Sequence, residues 1–493
     1  MARYDAVVIG AGLGGLTAGA ILAREGRKVL VIERGNSVGG AASSYKVGDL
    51  FVEGSLHVTS NPHHAEDPKH GALSRAGVLD AVKWIPTGAL YEARGGPLGR
   101  PFLLPDNFAA ARGALNERFP EARHGIAQLL DEMERIAATG DITLNDQDLQ
   151  LSLSDKLDRL FGDNEAIKCA LAANLSYYHD DPTTLRWASF AMAQGGFLRG
   201  GACFIQGGSQ RLSSALARAI RMAGGEVLLR RSVSAIALNA DGEFGYVTHT
   251  ARDGSDPQIV ECRRIIGNAA PAILASLLPE ADATRLNDSY ARETPSISLF
   301  ALTLGLSTPP RAFGVGSYST QLLPDWMTTL AGYTQGKSLM AEEPAGRMPP
   351  LAIVDYAAID SGVPAPPYVV SVVGPDLLSN WSALEPDAYR AKRGRWQQAI
   401  VDYLDAQYPG LAAAVTASSF NTAMSVQQYL NAPQGSVYGF APTLPEPNGR
   451  ATDRSPRTVL PGLYLASAYA GLGGYTGVVQ SAETCADIIL GGA

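Results

Sequence analysis

Tyr4-Asp5-Ala6-Val7-Val8-Ile9-Gly10-Ala11-Gly12-Leu13-Gly14-Gly15 sets a short β-branched run directly against a glycine-rich turn. A run of this kind, bounded by glycine, predicts a buried parallel strand starting at Tyr4. The glycines complete a G-x-G-x-x-G, and Leu16 to Arg24, rich in Ala and Leu and free of Pro, predicts a helix behind them. Gly26 closes that helix. Lys28-Val29-Leu30-Val31-Ile32 then supplies a second strand with Glu33 at its tip. Each part has a physical task. Gly10 permits the tight turn, Gly12 lets the backbone approach a pyrophosphate beside Leu13 and Gly14, and Gly15 allows close helix–strand packing. The helix N-terminus offers free N–H groups and the positive end of its dipole to phosphates. Glu33 stands where a carboxylate accepts hydrogen bonds from a ribose diol. A glycine pattern alone is weak evidence, but strand, turn, helix, strand and acid in order make a dinucleotide-binding unit.

The rest of the chain sets bounds on this reading. With 493 residues, two or three structural units are expected. Apolar residues make up 46% and charged residues 18%, a globular balance that argues against large-scale disorder. The formal net charge is −8 and no run of basic residues occurs, so nucleic acid is excluded as an expected partner. Cys169, Cys203, Cys262 and Cys485 lie far apart without a CxxC pair, which predicts buried apolar thiols in a reducing compartment. With the first strand expected at Tyr4 there is no room for a signal peptide, and no apolar stretch approaches the ~20 residues needed to span a bilayer. A cytoplasmic location is the expectation, with peripheral membrane contact left open because it needs only a small apolar patch.

The residues after Glu33 identify the dinucleotide. Arg34-Gly35-Asn36-Ser37-Val38-Gly39-Gly40-Ala41-Ala42-Ser43-Ser44 resembles the extended flavin fingerprint of the amine oxidase and phytoene desaturase superfamily. That resemblance implies FAD, with Gly39 and Gly40 against the pyrophosphate and ribityl chain and Arg34, Ala41 and Ala42 beside them. The amine-oxidase branch carries Arg after this Gly-Gly, where this chain has Ala41. Small residues and Ser in that place resemble the carotenoid isomerase and retinol saturase branch.

Two later segments carry the same resemblance. Ile205 to Leu212, a predicted helix over 213–223, and strand material at 226–229 and 232–236 match the family's middle element, which implies that Val233 offers its backbone to the adenine. Residues 263–271 resemble the strand that closes the flavin domain. Pro461 to Ala468, then Gly471-Leu472-Gly473-Gly474-Tyr475-Thr476-Gly477-Val478, again reads strand, glycine turn, helix, with the helix over 480–490. By the resemblance this helix points its N-terminus at the flavin, with Gly474, Gly477 and Val478 in contact. Where many relatives have Gly-Asp this chain has Ala466-Ser467-Ala468, so Ser467 brings a hydroxyl for a ribityl hydroxyl or phosphate but no carboxylate.

The expected fold is α/β, a Rossmann-type FAD-binding domain (GR2-type) with a mixed-sheet plus helical substrate domain. The FAD-binding domain is expected to be discontinuous, over 1–85, 200–290 and 450–493. The substrate-binding domain, with a helical lid, takes 86–199 and 291–449. Residues 107–198 look mainly helical, from apolar periodicity such as Ile126, Leu129, Leu130, Met133 and Ile136. Strands are expected over 296–306 and 364–374, and a loose return segment over 442–461.

For the chemistry, FAD carries the redox step and the protein supplies binding, orientation and a shaped cavity. His57, His63, His64 and His70 lie in a loop without metal-ligand spacing, so no metal is expected. No nucleophile elbow or redox cysteine pair occurs. His57 sits in Phe51-Val52-Glu53-Gly54-Ser55-Leu56-His57, which resembles the family segment passing beside the isoalloxazine, with Glu53 in place of the usual Asp. Its options are to protonate or deprotonate substrate carbon, or to hydrogen-bond a polar substrate group. Tyr438, before Gly439, resembles a flavin-facing tyrosine, and Tyr177, Tyr178 and His179 are candidates for the pocket wall. The expected function is redox chemistry on carbon–carbon bonds (desaturation, saturation or isomerisation) of an apolar, conjugated or isoprenoid-like small molecule. Two alternatives stand beside it. One is a flavin amine or amino-acid oxidase with an aromatic cage drawn from Trp187, Trp381, Tyr464 and Tyr475; the other is a non-catalytic flavin-fold escort.

Overall fold

Val7, Val8 and Ile9 are buried on both faces of the first strand, which runs Ala2–Ile9 and so begins before Tyr4. This is seen in a computed structural model that describes residues 2–55, 57–140, 150–239, 241–444 and 454–491. The strand lies inside a seven-stranded mixed sheet, parallel to Val29–Ile32 on one side and to Gln258–Gly267 on the other. Glu226–Leu228 adds a parallel edge beyond Val29–Ile32. Gln258–Gly267 pairs antiparallel with Gly245–Ala251 along its first half and parallel with Leu463–Leu465 at its end. Arg231–Leu238 completes the other edge. Pieces from the start, middle and end of the chain thus share one sheet.

The helix behind the glycine turn begins at Leu13 rather than Leu16, because Gly14 and Gly15 enter its first turn. It packs between Gln210–Met222 and Gly474–Leu490. The last helix likewise starts six residues before the expected Gln480, at Gly474. In both cases glycine weakens the helical signal in sequence while the first turn still forms, since its N–H groups need no intrahelical partner.

A second seven-stranded sheet runs in the order Val415–Asn421, Ser298–Leu306, Tyr368–Asp376, Leu351–Asp355, Ser319–Leu323, Tyr91–Gly95, Phe102–Leu104. Its pairs are antiparallel except Ser319–Leu323 with Tyr91–Gly95. Helices Phe108–Arg118, Arg123–Thr139, Leu153–Phe161, Glu165–Ala172 and Trp187–Gly200 bear out the helical reading of this region. Ile126, Leu129, Leu130, Met133 and Ile136 all face one core, shared with Leu157, Ala191 and Leu198. A small antiparallel sheet of Thr59–Ser60, Ala202–Ile205 and Trp84–Pro86 joins the regions. Of the expected return segment, residues 445–453 lie outside the described residues. The four cysteines are buried and unbridged.

Candidate cofactor and substrate site

A cavity of about 880 Å³ follows the carboxyl ends of the central strands of the first sheet and continues toward the second. It is lined at its start by Gly10, Gly12, Leu13 and Gly14. Gly12 caps the first helix without any side-chain partner, so the first-turn N–H groups stay available. A Cβ on Gly12 would strike Asn268 Nδ2, and one on Gly14 would overlap the carbonyl oxygen of Ala466. Gly15 lies behind this surface: its Cβ would sit 2.6 Å from the Gly10 carbonyl oxygen and 2.9 Å from Val8, which is a packing requirement rather than a cavity contact.

The second glycine pair is laced to the first turn. Gly39 N–H donates to the Ala11 carbonyl at 2.7 Å, and Gly12 and Gly39 form a parallel bridge. Gly39 and Gly40 have φ of +123° and +57°, conformations that favour glycine. The middle of the chain fixes this loop from behind. Ser213 Oγ donates to the Ala42 carbonyl at 2.7 Å and Gln210 Nε2 to the Val38 carbonyl at 3.0 Å. Gly40, Ala41 and Ala42 face the cavity.

Glu33 and Arg34 line one end, with Val233 and Leu277. Glu33 accepts hydrogen bonds from the N–H groups of Ala11, at 2.8 Å, and Gly35, at 2.6 Å, so its carboxylate is aimed before any ligand arrives. Val233 lies on the sheet edge, at a register shift against Gly245–Ala251. Arg34 is exposed, and its guanidinium donates to the Tyr429 carbonyl at 2.8 Å, tying the second strand to the helix Ala423–Leu430.

At the other end, Gly474, Gly477 and Val478 belong to the first turn of the last helix, whose N-cap Gly473 has no side-chain partner. A Cβ on Gly473 or Gly477 would overlap the carbonyl oxygens of Tyr438 and Leu472 respectively. Ser467 lines the cavity but already donates to the Ala269 carbonyl at 3.4 Å, so it shapes the turn as well. Beneath this turn Lys69 and Asp67 form an ion pair with no side-chain exposure. Lys69 Nζ donates to Ser60 Oγ at 2.6 Å and to Thr476 Oγ1 at 3.2 Å, which anchors the helix start. The sequence reading missed this pair. Only its apolar surroundings mark it, and those are assembled by the fold.

His57 and Tyr438 both line the cavity. Burial pushes the His57 imidazole down to about 4, so the ring is neutral at pH 7. Burial raises the Tyr438 phenol well above its ordinary range. Glu53 borders the cavity with its carboxylate engaged. It accepts hydrogen bonds from the N–H of Ser209, at 3.0 Å, and from the Ser209 hydroxyl, at the start of the helix Gln210–Met222. Tyr177 and Tyr178 line the cavity, whereas His179 sits outside it, its Nε2 3.0 Å from Thr184. Of the proposed aromatic cage only Tyr475 reaches the cavity. Trp187 is fully buried with its indole N–H on Glu132, and Trp381 is fully buried on Asp376. Tyr464, in the strand Leu463–Leu465, packs against the core of the first sheet. Among the described residues no group of three His, Cys, Asp or Glu side chains is placed to hold a metal ion.

Two helix N-termini, a laced pair of glycine loops and a preset carboxylate suit a dinucleotide with a flavin at its far end. The family model for flavin containing amine oxidoreductase matches residues 13–490. The chain belongs to this family. It is an FAD-dependent oxidoreductase. The chain is 24% identical to the all-trans-retinol 13,14-reductase of Rattus norvegicus over 99% of this chain and 86% of that one. Among solved structures, an oxidoreductase from Methanosarcina mazei matches with a TM-score of 0.66 at 17% identity, over 98% of this chain and 99% of that one. A putrescine oxidase variant matches with a TM-score of 0.66 at 16% identity, over the whole of both chains. Those two likenesses carry the family's fold. In this flavin containing amine oxidoreductase, FAD would be held by Gly12 to Gly14, Glu33, Gly39 to Ala42, Val233 and Gly474 to Val478. Among the described residues no helix is long and apolar enough to cross a membrane.

Proposed function

We propose that this oxidoreductase acts on a carbon–carbon bond of an apolar, conjugated or isoprenoid-like molecule, by desaturation, saturation or isomerisation. The observation that carries this is the apolar part of the cavity wall, its aliphatic arm. Met192, Ala193, Gly196 and Phe197 of the helix Trp187–Gly200 contribute to it, as do Leu299, Ala301 and Val373 of the second sheet. An arm of this composition excludes water and holds a hydrocarbon chain along its length. Bound FAD supplies hydride acceptance or donation at its ring. The chain's own residues orient the substrate: Tyr438 and His57 bound the reacting end, and the aliphatic wall fixes the remainder. The first-sheet pieces are proposed as the FAD-binding domain over 1–85, 200–290 and 450–493. The second sheet and the helices then form the substrate domain over 86–199 and 291–449. The retinol 13,14-reductase likeness supports an isoprenoid-type substrate.

A second reading, oxidation of an amine, is favoured by Tyr438 and Tyr475, two aromatic rings on the cavity wall. An amino-acid substrate is less well served, since the three arginines on the wall are engaged. Arg199 pairs with Glu66 at 2.8 Å, Arg231 with Asp256 at 2.8 Å, and Arg34 with the Tyr429 carbonyl. Anaerobic incubation of photoreduced holoenzyme with conjugated isoprenoids separates the readings. Re-oxidation of the flavin with a changed polyene chromophore is the expected result. Peroxide release on adding amines, with no response to any polyene, overturns it.

A further inference from the structure

His57 is held by three tyrosines that lie outside every glycine motif. Tyr318 Oη donates to the His57 carbonyl at 2.6 Å. Tyr356 Oη lies 3.4 Å from His57 Nδ1. The Tyr177 ring stacks alongside, 6.4 Å between centroids and 13° between planes. Tyr318 and Tyr356 adjoin the antiparallel strands Ser319–Leu323 and Leu351–Asp355, and Asp355 N–H donates to the Tyr318 carbonyl at 2.9 Å. One rigid strand pair therefore delivers both hydroxyls to the histidine.

Burial raises both phenols well above their ordinary range, so each remains O–H and able to donate. Where Tyr356 is the donor in this contact, the neutral imidazole carries its proton on Nε2. Among the described residues Nε2 has no protein partner, and the ring borders the cavity. In that tautomer two of the three options open to His57 fall away. A neutral imidazole is a poor acid, because losing its remaining proton leaves an imidazolate. A protonated Nε2 has no lone pair with which to act as a base. Hydrogen-bond donation remains.

We propose that His57, oriented by Tyr356, donates its Nε2–H to an oxygen of the substrate, which is therefore an apolar conjugated molecule bearing a carbonyl or hydroxyl group near the reacting bond. This rests on the carbon–carbon reading above and deepens it. For a conjugated carbonyl, the hydrogen bond draws electron density toward oxygen and activates the adjoining double bond. An oxygen-free ligand leaves a desolvated N–H unpaired, which is the discrimination a hydrogen-bonding site exerts.

The test uses anaerobic holoenzyme and two probes, β-ionone (a conjugated ketone) and the hydrocarbon of the same skeleton lacking the oxygen. Binding is read from perturbation of the flavin absorbance. The ketone is expected to bind about tenfold more tightly than the hydrocarbon. In His57→Leu the ratio falls close to one, and the carbonyl stretch of bound ketone loses its downward shift. ¹⁵N-histidine NMR is expected to show the His57 proton on Nε2 in the wild type and a tautomer mixture in Tyr356→Phe. A proton on Nδ1, or a ketone preference that survives in His57→Leu, overturns the proposal. The two readings fail separately. Turnover of conjugated hydrocarbons with no ketone preference sinks this one alone. A ketone preference and carbonyl shift without any carbon–carbon redox activity sinks only the other.

Discussion

The N–H of Gly39 donates to the carbonyl of Ala11 at 2.7 Å, so the two glycine turns of the N-terminal unit form one surface rather than two. Gly39 has φ +123°, and a Cβ there would lie 2.5 Å from the Ala42 carbonyl oxygen. Gly39→Ala is therefore expected to strain the loop by ~1–3 kcal/mol and to weaken FAD retention at least tenfold. The ratio of flavin to protein absorbance after gel filtration, with an FAD titration of the apoprotein, checks this. Full retention would mean that the loop relaxes away from Ala42.

The buried pair Lys69–Asp67 makes a different kind of test. Lys69→Met leaves the Asp67 carboxylate buried without its ammonium and removes the donor to Thr476. A loss of ~3–5 kcal/mol is expected, with much of it restored in the double variant Lys69→Met, Asp67→Asn, which removes both charges. Denaturant unfolding of the four proteins in the cycle gives the coupling directly. Additive losses would show that the pair contributes no coupling.

His57 links stability to pH. Its imidazole titrates near 4 in the folded chain and near 6.5 when unfolded, so the unfolded state binds the extra proton between these values. The contribution is complete above about pH 6.5 and is lost as the pH falls toward 4, to an extent of at most about 3 kcal/mol. Asp355, raised to about 6 by burial, shifts in the opposite sense, so the comparison is made between wild type and His57→Gln. The variant is expected to lose less stability than the wild type between pH 6.5 and 4. Parallel melting curves across that window would rule the buried neutral histidine out.

Gly196 borders the apolar arm, and a Cβ there meets nothing within 4 Å. Gly196→Leu suits its helix better than glycine and projects into the arm. Long conjugated ligands are expected to bind about tenfold or more weakly, while flavin content stays as in the wild type. Unchanged affinity for a long polyene, measured by flavin difference spectra, would place the substrate elsewhere.

Much of the backbone geometry around the proposed cofactor cradle was legible because its requirements are local. Gly12, Gly39 and Gly477 are needed for close backbone approach, and glycine at those spacings is visible in sequence. Helix starts were misplaced for the same reason, since Gly14 and Gly474 read as turn residues although both lie in helical first turns. The substrate side was legible only as helices and a few strands. Lys69, Asp67, Tyr318 and Tyr356 gain their meaning from partners far along the chain, and no periodicity marks such a pairing. Trp187 and Trp381 show the converse. Their size suggested a cage, but each pairs its indole N–H with a buried carboxylate in a core.

Gln258–Gly267 pairs with Ala2–Ile9 on one side and with Leu463–Leu465 at its end. During synthesis the first strand can pair with Val29–Ile32 at once, but its other edge lacks its partner until the middle of the chain emerges. The last ligand-facing turn, from Gly473 to Val478, leaves the ribosome later still. The proposed FAD site is therefore complete only once the whole chain is present. Long-range pairings of this kind close slowly, so cofactor capture is expected to be a late event that reports completion of the whole molecule.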